Sequence, residues 1–221
     1  ARTRPDDEQY RAAAAAAHAL AERGWMVVTG AGPGIMQAAA EGAGPDHSLG
    51  VSIRLPFEEK PNAVITKNSR NVAMKYFFTR KLMLVKESQA FICVPGGFGT
   101  LDEMFELLTL QQTGKADPTP IVLLDRPGGT FWAGLERFVD EQLVTGGVIS
   151  PDDFDRVLVT FLSATPTAKW DFCSAVARAS LGVQSPRTRN APRNSPQAGN
   201  VRKRTYHFST ARSNSARSAA R

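Results

Sequence analysis

The stretch Ala90-Phe91-Ile92-Cys93-Val94-Pro95-Gly96-Gly97-Phe98-Gly99-Thr100-Leu101-Asp102-Glu103 decides how this chain of 221 residues is read. Residues 90–94 are apolar without interruption, the pattern of a short strand covered on both faces. A glycine-rich turn follows, and residues 99–112 have the periodicity of a helix. Working outward, residues 25–29 read as a second short buried strand. It too runs into a glycine-rich turn, Gly30-Ala31-Gly32-Pro33-Gly34, and then a helix over 35–43. Residues 7–23 are rich in alanine and read as a helix stopped by Gly24. Strands are expected over 49–55 and 121–124, helices over 71–86 and 131–143, and loops over 44–48 and 56–70. No internal repeat is visible. Apolar strands alternating with helices imply an α/β fold: a parallel sheet with helices on both faces and right-handed crossovers. Ligands of such sheets sit at the carboxyl ends of the strands, and both glycine-rich turns lie on that edge.

Chemistry concentrates on the same stretch. Glycines allow close approach of the backbone to an anion, and the free amides of a helix N-terminus attract a phosphate. The turn could equally serve only to pack strand against helix. Thr100 can cap the helix or donate its hydroxyl to a phosphate oxygen. Asp102 and Glu103 are expected in the first helical turn, where carboxylates are favoured by the helix dipole. Beside a phosphate, however, a carboxylate serves better by accepting from ribose hydroxyls or orienting a water. Arg80-Lys81 lies in a stretch, Tyr76-Phe77-Phe78 to Leu82-Met83-Leu84-Val85, that is apolar almost all round. That pattern predicts a largely buried helix, whose arginine needs an anion, and a substrate could be that anion. The alternative for the basic pair is a solvated face. Gly30 to Gly34 resembles half of a dinucleotide fingerprint, but its spacing departs from G-x-G-x-x-G and the next strand ends Ser52-Ile53-Arg54 without an acid, so NAD is weakly supported. No Gly-Lys-Ser/Thr loop is present. His18, His47 and His207 are scattered, and no Ser/His/Asp arrangement is visible.

Composition narrows the class. The net charge is +6, yet residues 183–221 hold nine Lys/Arg and no Asp/Glu, so the remaining body is mildly acidic. A basic tail can bind nucleic acid or a membrane surface. Its Ser, Asn, Pro and Arg content, with few large apolar residues, fits a solvated disordered end better, and nucleic acid is not expected as a partner. No apolar run reaches the roughly 18 residues of a membrane span. No basic-then-apolar leader is visible, although a start at Ala1 could hide a removed one. Two cysteines, Cys93 and Cys173, make no disulfide framework or zinc spacing. Cys93 reads as a small core residue, and a reducing cytoplasm is the expected location.

Gly30 to Met36, Tyr76 to Lys81 and Pro95 to Glu103 together resemble the Lonely Guy (LOG) family, whose members were long labelled lysine decarboxylases. Its signature, PGGxGTxxE with an upstream Arg-Lys pair, stands here unbroken, and the resemblance runs over about residues 1–160. The resemblance implies a Rossmann-like fold and hydrolysis of nucleoside 5′-monophosphates, including cytokinin riboside monophosphates and AMP, to free base and ribose 5-phosphate. It implies that Gly96, Gly97, Gly99 and Thr100 hold the 5′-phosphate, that Glu103 contacts the ribose and assists water attack, and that Arg80 acts on the side of the base. Gly32, Gly34, Glu58, Lys81, Pro95, Phe98 and Asp102 complete the expected substrate contacts. No metal or cofactor is implied, and the family forms homodimers or larger homo-oligomers with sites near the interface. The old decarboxylase label would need pyridoxal phosphate on a lysine, and no motif supports it. A non-catalytic nucleotide-binding module on the same fold is the competing expectation.

Two departures from the family pattern bear on the domain plan. The family's first strand, central in its sheet, precedes the segment matching Ala1-Arg2-Thr3, so the expected sheet lacks that strand. Either a poorly stable chain or a longer gene product is expected. After Thr160 the chain reads Phe161-Leu162-Ser163-Ala164-Thr165-Pro166 and then the Arg/Ser/Pro-rich tail, which points to a reading-frame shift or gene-model error. The expected plan is a nucleotide-binding domain over 1–160, an extension of uncertain nature over 161–182, and a disordered basic tail over 183–221.

Overall fold

A computed structural model describes residues 3–54, 61–154 and 157–162. The chain begins with helix α1 (Glu8–Ala21), whose N-cap Asp7 accepts from the Gln9 amide at 2.8 Å. Its small side chains form a smooth surface, and α2 (Ile35–Ala43) packs against it. A Cβ on Gly42 would run into the backbone carbonyl of Ala14, so glycine is needed for this close approach. The Tyr10 hydroxyl donates to Glu41 across the same contact at 2.7 Å. Burial, reinforced by Glu41, pushes the phenol up to about 12.

Strands β1 (Val27–Thr29), β2 (Ser48–Ile53) and β3 (Asn71–Met74) form one parallel sheet in that order. Strands β4 (Phe91–Cys93), β5 (Ile121–Asp125) and β6 (Val157–Phe161) form a second, also parallel. Strand β5 shows why the arrangement is an α/β fold. Val122 and Leu124 pack with Ala12, Ala16 and Leu20 of α1. Ile121 and Leu123 pack with Met104 and Leu107 of α5 (Phe98–Gln112) and Trp132 of α6 (Phe131–Phe138). Successive side chains of one strand thus meet helices on opposite faces, and all five residues of β5 are buried. The Trp132 indole donates to the Leu124 carbonyl at 3.2 Å, satisfying its one polar group inside the core.

Several expectations are corrected. Residues 71–86 are not one helix: β3 occupies 71–74, and helix α4 (Phe77–Glu87) begins only after a bend at Lys75-Tyr76. Pairing with Ile53 and Val51 of β2 overrides the local helical periodicity there. The expected loop 56–70 contains helix α3 (Ala63–Asn68), capped by Asn62, while 44–48 holds a 3-10 turn, Pro45–His47, leading into β2. The helix over 131–143 is α-helical to Phe138 and π-helical over Val139–Val144. Helix α4 is not buried: none of its residues is enclosed within this chain, and Phe77, Phe78 and Leu82 are 57, 66 and 60% exposed. Val85 packs against the core that holds Met104 and Leu107, while Phe77, Phe78 and Leu82 stay largely uncovered among the described residues.

Each of β1 and β4 is hydrogen bonded on one side only, and no described strand joins the two sheets. They are tied together instead by α1, which reaches β5 on one side and Val27 on another, and by a side-chain bridge from α4 to α5. The expected domain limit at 160 falls inside β6, whose last residue is Phe161 and whose neighbour Leu162 is core. The rest of 163–182 and the tail 183–221, with Cys173, lie outside the described residues. Among the described residues no helix is long and apolar enough to cross a membrane.

Candidate active site

Strand β4 delivers the chain to the edge where Val94 and Pro95 leave the sheet. Cys93 ends the strand inside the core, where burial pushes its thiol up to about 12. The turn itself, Gly96-Gly97, is exposed, and Gly97 forms the N-cap of α5 without any side-chain cap. The Thr100 and Leu101 amides donate to the Gly97 carbonyl at 3.1 and 3.2 Å, while the amides of Phe98 and Gly99, at the very start of the helix, are the ones a helix leaves without an intrahelical acceptor. A Cβ on Gly96 would collide with the Thr100 hydroxyl, so the glycine makes room for Thr100 to fold back over the turn. Because α5 starts at Phe98, Thr100 lies inside its first turn and is not the cap, and Asp102 and Glu103 fall in the second turn. Favourable interaction with the helix dipole is then a minor reason for either acid, since that effect fades within one turn. Phe98 is 92% exposed.

The reason for Glu103 is Arg80. From α4, the Arg80 Nε donates to the Val51 carbonyl of β2 at 2.9 Å, and its Nη1 donates to Glu103 Oε1 at 2.9 Å. The guanidinium is 13% exposed and its carboxylate partner is half-buried. The arginine finds an anion here, and that anion is the Glu103 carboxylate. Burial holds the Glu103 carboxyl above the usual range; Arg80 opposes this, and Asp102 adds to it.

Arg80 also joins the two glycine-rich turns. A Cβ on Gly30, directly after β1, would collide with the Arg80 Nη2. Met36 occupies the space beside Gly30 and Gly32. Ala31 adopts φ 61° and Gly34, the N-cap of α2, φ 68°. The turn is held by Asn62, which sequence reasoning passed over. Its amide N–H donates to the Ala31 carbonyl at 2.8 Å and its Nδ2 to the Gly32 carbonyl at 3.3 Å, while its Oδ1 accepts from Ile65 at 3.2 Å. An asparagine ahead of a short apolar run was the available signal.

Lys81 and Asp102, both expected among the substrate contacts, pair with each other across α4 and α5. Lys81 Nζ lies 3.2 Å from Asp102 and 2.8 Å from Glu106, and these two carboxylates raise the ammonium's pKa, Glu106 most. Glu106 was not anticipated, although it sits one turn beyond Glu103 on α5. Glu58 lies outside the described residues. The structure thus gathers Arg80, Glu103, Gly30 to Gly34 and Pro95 to Thr100 at the carboxyl edge of β1 and β4. Such an arrangement offers bare amides for an anion, a carboxylate held at raised pKa, and a guanidinium, the elements required to bind a phosphate and stabilise a cationic sugar.

Residues 34–168 match a protein family described as possible lysine decarboxylase. The chain is 33% identical over 159 residues to a probable cytokinin riboside 5′-monophosphate phosphoribohydrolase of Oryza sativa subsp. japonica, a match covering 70% of this chain and 59% of that one. It is 33% identical over 162 residues to a cytokinin riboside 5′-monophosphate phosphoribohydrolase of Mycobacterium tuberculosis, covering 69% and 80%. The chain thus spans under two thirds of the rice relative's length. A solved molybdenum cofactor carrier protein of Chlamydomonas reinhardtii superposes with a TM-score of 0.49 at 19% identity, over 80% of this chain and 89% of that one.

Proposed function

This chain belongs to the Lonely Guy family, described also as possible lysine decarboxylases, and on that footing we propose that it hydrolyses the N-glycosidic bond of a nucleoside 5′-monophosphate, AMP or a cytokinin riboside monophosphate, to free base and ribose 5-phosphate. The observation that carries the reading is the 2.9 Å Arg80–Glu103 pair set between two glycine-rich turns at one sheet edge. In this reading the phosphate rests on the amides that open α5 and on the Thr100 hydroxyl, with Gly96, Gly97 and Gly99 keeping side chains out of its way. Phosphate binding is then remote binding energy, applied at the anomeric carbon. Glu103 faces the ribose, where its carboxylate stabilises the oxocarbenium charge that develops as the C–N bond lengthens, and orients the water that adds to the anomeric carbon. Arg80 neutralises negative charge on the departing base, which takes a proton as it leaves. In the same reading Gly32, Gly34, Pro95 and Phe98 supply further contacts to the substrate. The setting is the cytoplasm, and the protein acts as a homodimer or larger homo-oligomer whose interface includes the exposed apolar face of α4.

The test is a product assay with AMP and isopentenyladenosine monophosphate. Adenine or the modified base appears together with ribose 5-phosphate, and Glu103→Gln and Arg80→Ala lower turnover at least about a hundredfold, the usual effect of losing such a group. Nucleotide binding without product in the unmodified protein would overturn the proposal in favour of a binding module.

A further inference from the structure

Two consecutive cations of α4 grip three acids of α5, and only the first of them is absorbed by the proposed reaction. We propose that Lys81 is a positioning residue: by bridging Asp102 and Glu106, which flank Glu103 along α5, its ammonium sets the rotation of α5 against α4 and so keeps the Glu103 carboxylate on Arg80. The inference rests on the hydrolase reading for its kinetic consequences, while its structural basis is independent of that reading.

The geometry carries it. Lys81 Nζ reaches Asp102 at 3.2 Å and Glu106 at 2.8 Å, and its side chain is largely shielded from solvent. Glu103 and Glu106 lie three residues apart on one helical face, and Asp102 is turned about 100° from Glu103. Asp102 and Glu106 therefore lie on the same side of Glu103 round the helix, about 100° and 60° away, and the Lys81 bridge holds α5 at a second angular position beside the one that Arg80 holds, so the two ties together fix its rotation where a single ion pair cannot. Apolar packing adds Val85, partly buried against the core that holds Met104 and Leu107, but no residue of α4 is fully enclosed within this chain. Its polar ties are Arg80 on Val51 and Glu103, and Lys81 on its two acids. The groups facing Glu103 are Arg80 and Lys81 from α4, Asp102 and Glu106 from its own helix, and the Cys93 thiol from β4, which stays neutral near pH 7. Asp102 pushes the Glu103 carboxyl up and Lys81 draws it down.

The same bridge separates this role from direct substrate contact. The experiment uses the full chain, with steady-state kinetics on AMP and carbon-detected NMR titration of the Glu103 carboxyl. Lys81→Met is expected to lower kcat about tenfold with KM changed less than about twofold, and to move the acid limb of kcat and the Glu103 titration to higher pH. Adding Asp102→Asn returns the acid limb and the titration toward the unmodified values, because the repelling charge is gone. It leaves kcat low, because the bridge is still missing. Glu106→Gln, a milder change that keeps the lysine charge, lowers kcat by a smaller factor and serves if Lys81→Met does not fold. A KM increase of about tenfold with kcat unchanged would identify Lys81 as a substrate ligand and overturn the proposal; so would full recovery of kcat in the double variant. Should the unmodified protein release no base, the hydrolase reading fails on its own. The NMR titration then decides for Lys81, and an unshifted Glu103 in Lys81→Met overturns it.

Discussion

Gly30 and Gly96 are glycines because of side chains that come to them from elsewhere. The first makes room for the Arg80 guanidinium and the second for the Thr100 hydroxyl, and both collisions fall on polar groups at the candidate site. Each substitution therefore has its own kinetic signature. Gly96→Ala displaces the Thr100 hydroxyl and is expected to raise KM about tenfold with a smaller change in kcat, the pattern of a lost phosphate contact. Gly30→Ala shifts Arg80 and is expected to lower kcat by a comparable factor; both are measured on AMP, with circular dichroism showing the fold kept. The pH profile follows from Glu103. Burial raises its pKa, so its ionised form is lost on acidification sooner than for a free glutamate of about 4.3. The acid limb of kcat should lie above that value. Arg80→Met removes the cation that opposes the shift, so whatever activity remains, and the Glu103 titration itself, moves to still higher pH. An acid limb at or below the free value would contradict this account.

At the scale of single elements, α2 and α4 pose opposite problems. Gly42 sits inside α2, where alanine is ordinarily better by about 1 kcal/mol. Here the added methyl meets the Ala14 backbone, which cannot rotate away. Gly42→Ala is expected to lower stability by about 1–3 kcal/mol despite its higher propensity, measurable as a drop in the denaturation midpoint at unchanged slope. Helix α4 carries apolar residues round most of its circumference and leaves Phe77, Phe78 and Leu82 outside. Exposed apolar patches of this kind mark interaction surfaces, and in the proposed homo-oligomer a second copy covers this one. Phe78→Glu with Leu82→Glu is expected to leave a monomer in light scattering where the unmodified chain gives a dimer or larger assembly.

In the molecule as a whole, two parallel half-sheets are held by α1 and by the Arg80–Glu103 bridge, with no described strand hydrogen bonded to both. Strand β5 is paired on both sides and buried throughout, whereas β1 and β4 each present one unpaired side. Amide exchange should therefore be slowest in Ile121–Asp125 and faster by orders of magnitude in Val27–Thr29, because opening energies follow burial and pairing. Uniform protection across the two halves would show that they open as one unit. The two glycine-rich turns come from different half-sheets, so loosening one half against the other separates them. Stability and activity are expected to fall together when conditions weaken that junction.

The residues that made the fold legible act over a few positions. An uninterrupted apolar strand, glycines at its end and a helix directly after are local stereochemistry, and β4, β5, α5 and the site turn follow from them, as does the buried Cys93. The parallel α/β class comes from the same alternation. Long-range pairing was not legible. Asn71 to Met74 becomes β3 only because β2 lies beside it, and its own periodicity favoured a helix. The anion that meets Arg80, the partners of Lys81 and the exposure of α4 depend on which elements the fold brings side by side. Charge pairs and contacts across a fold are set by three-dimensional distance, which a linear pattern of residues does not encode.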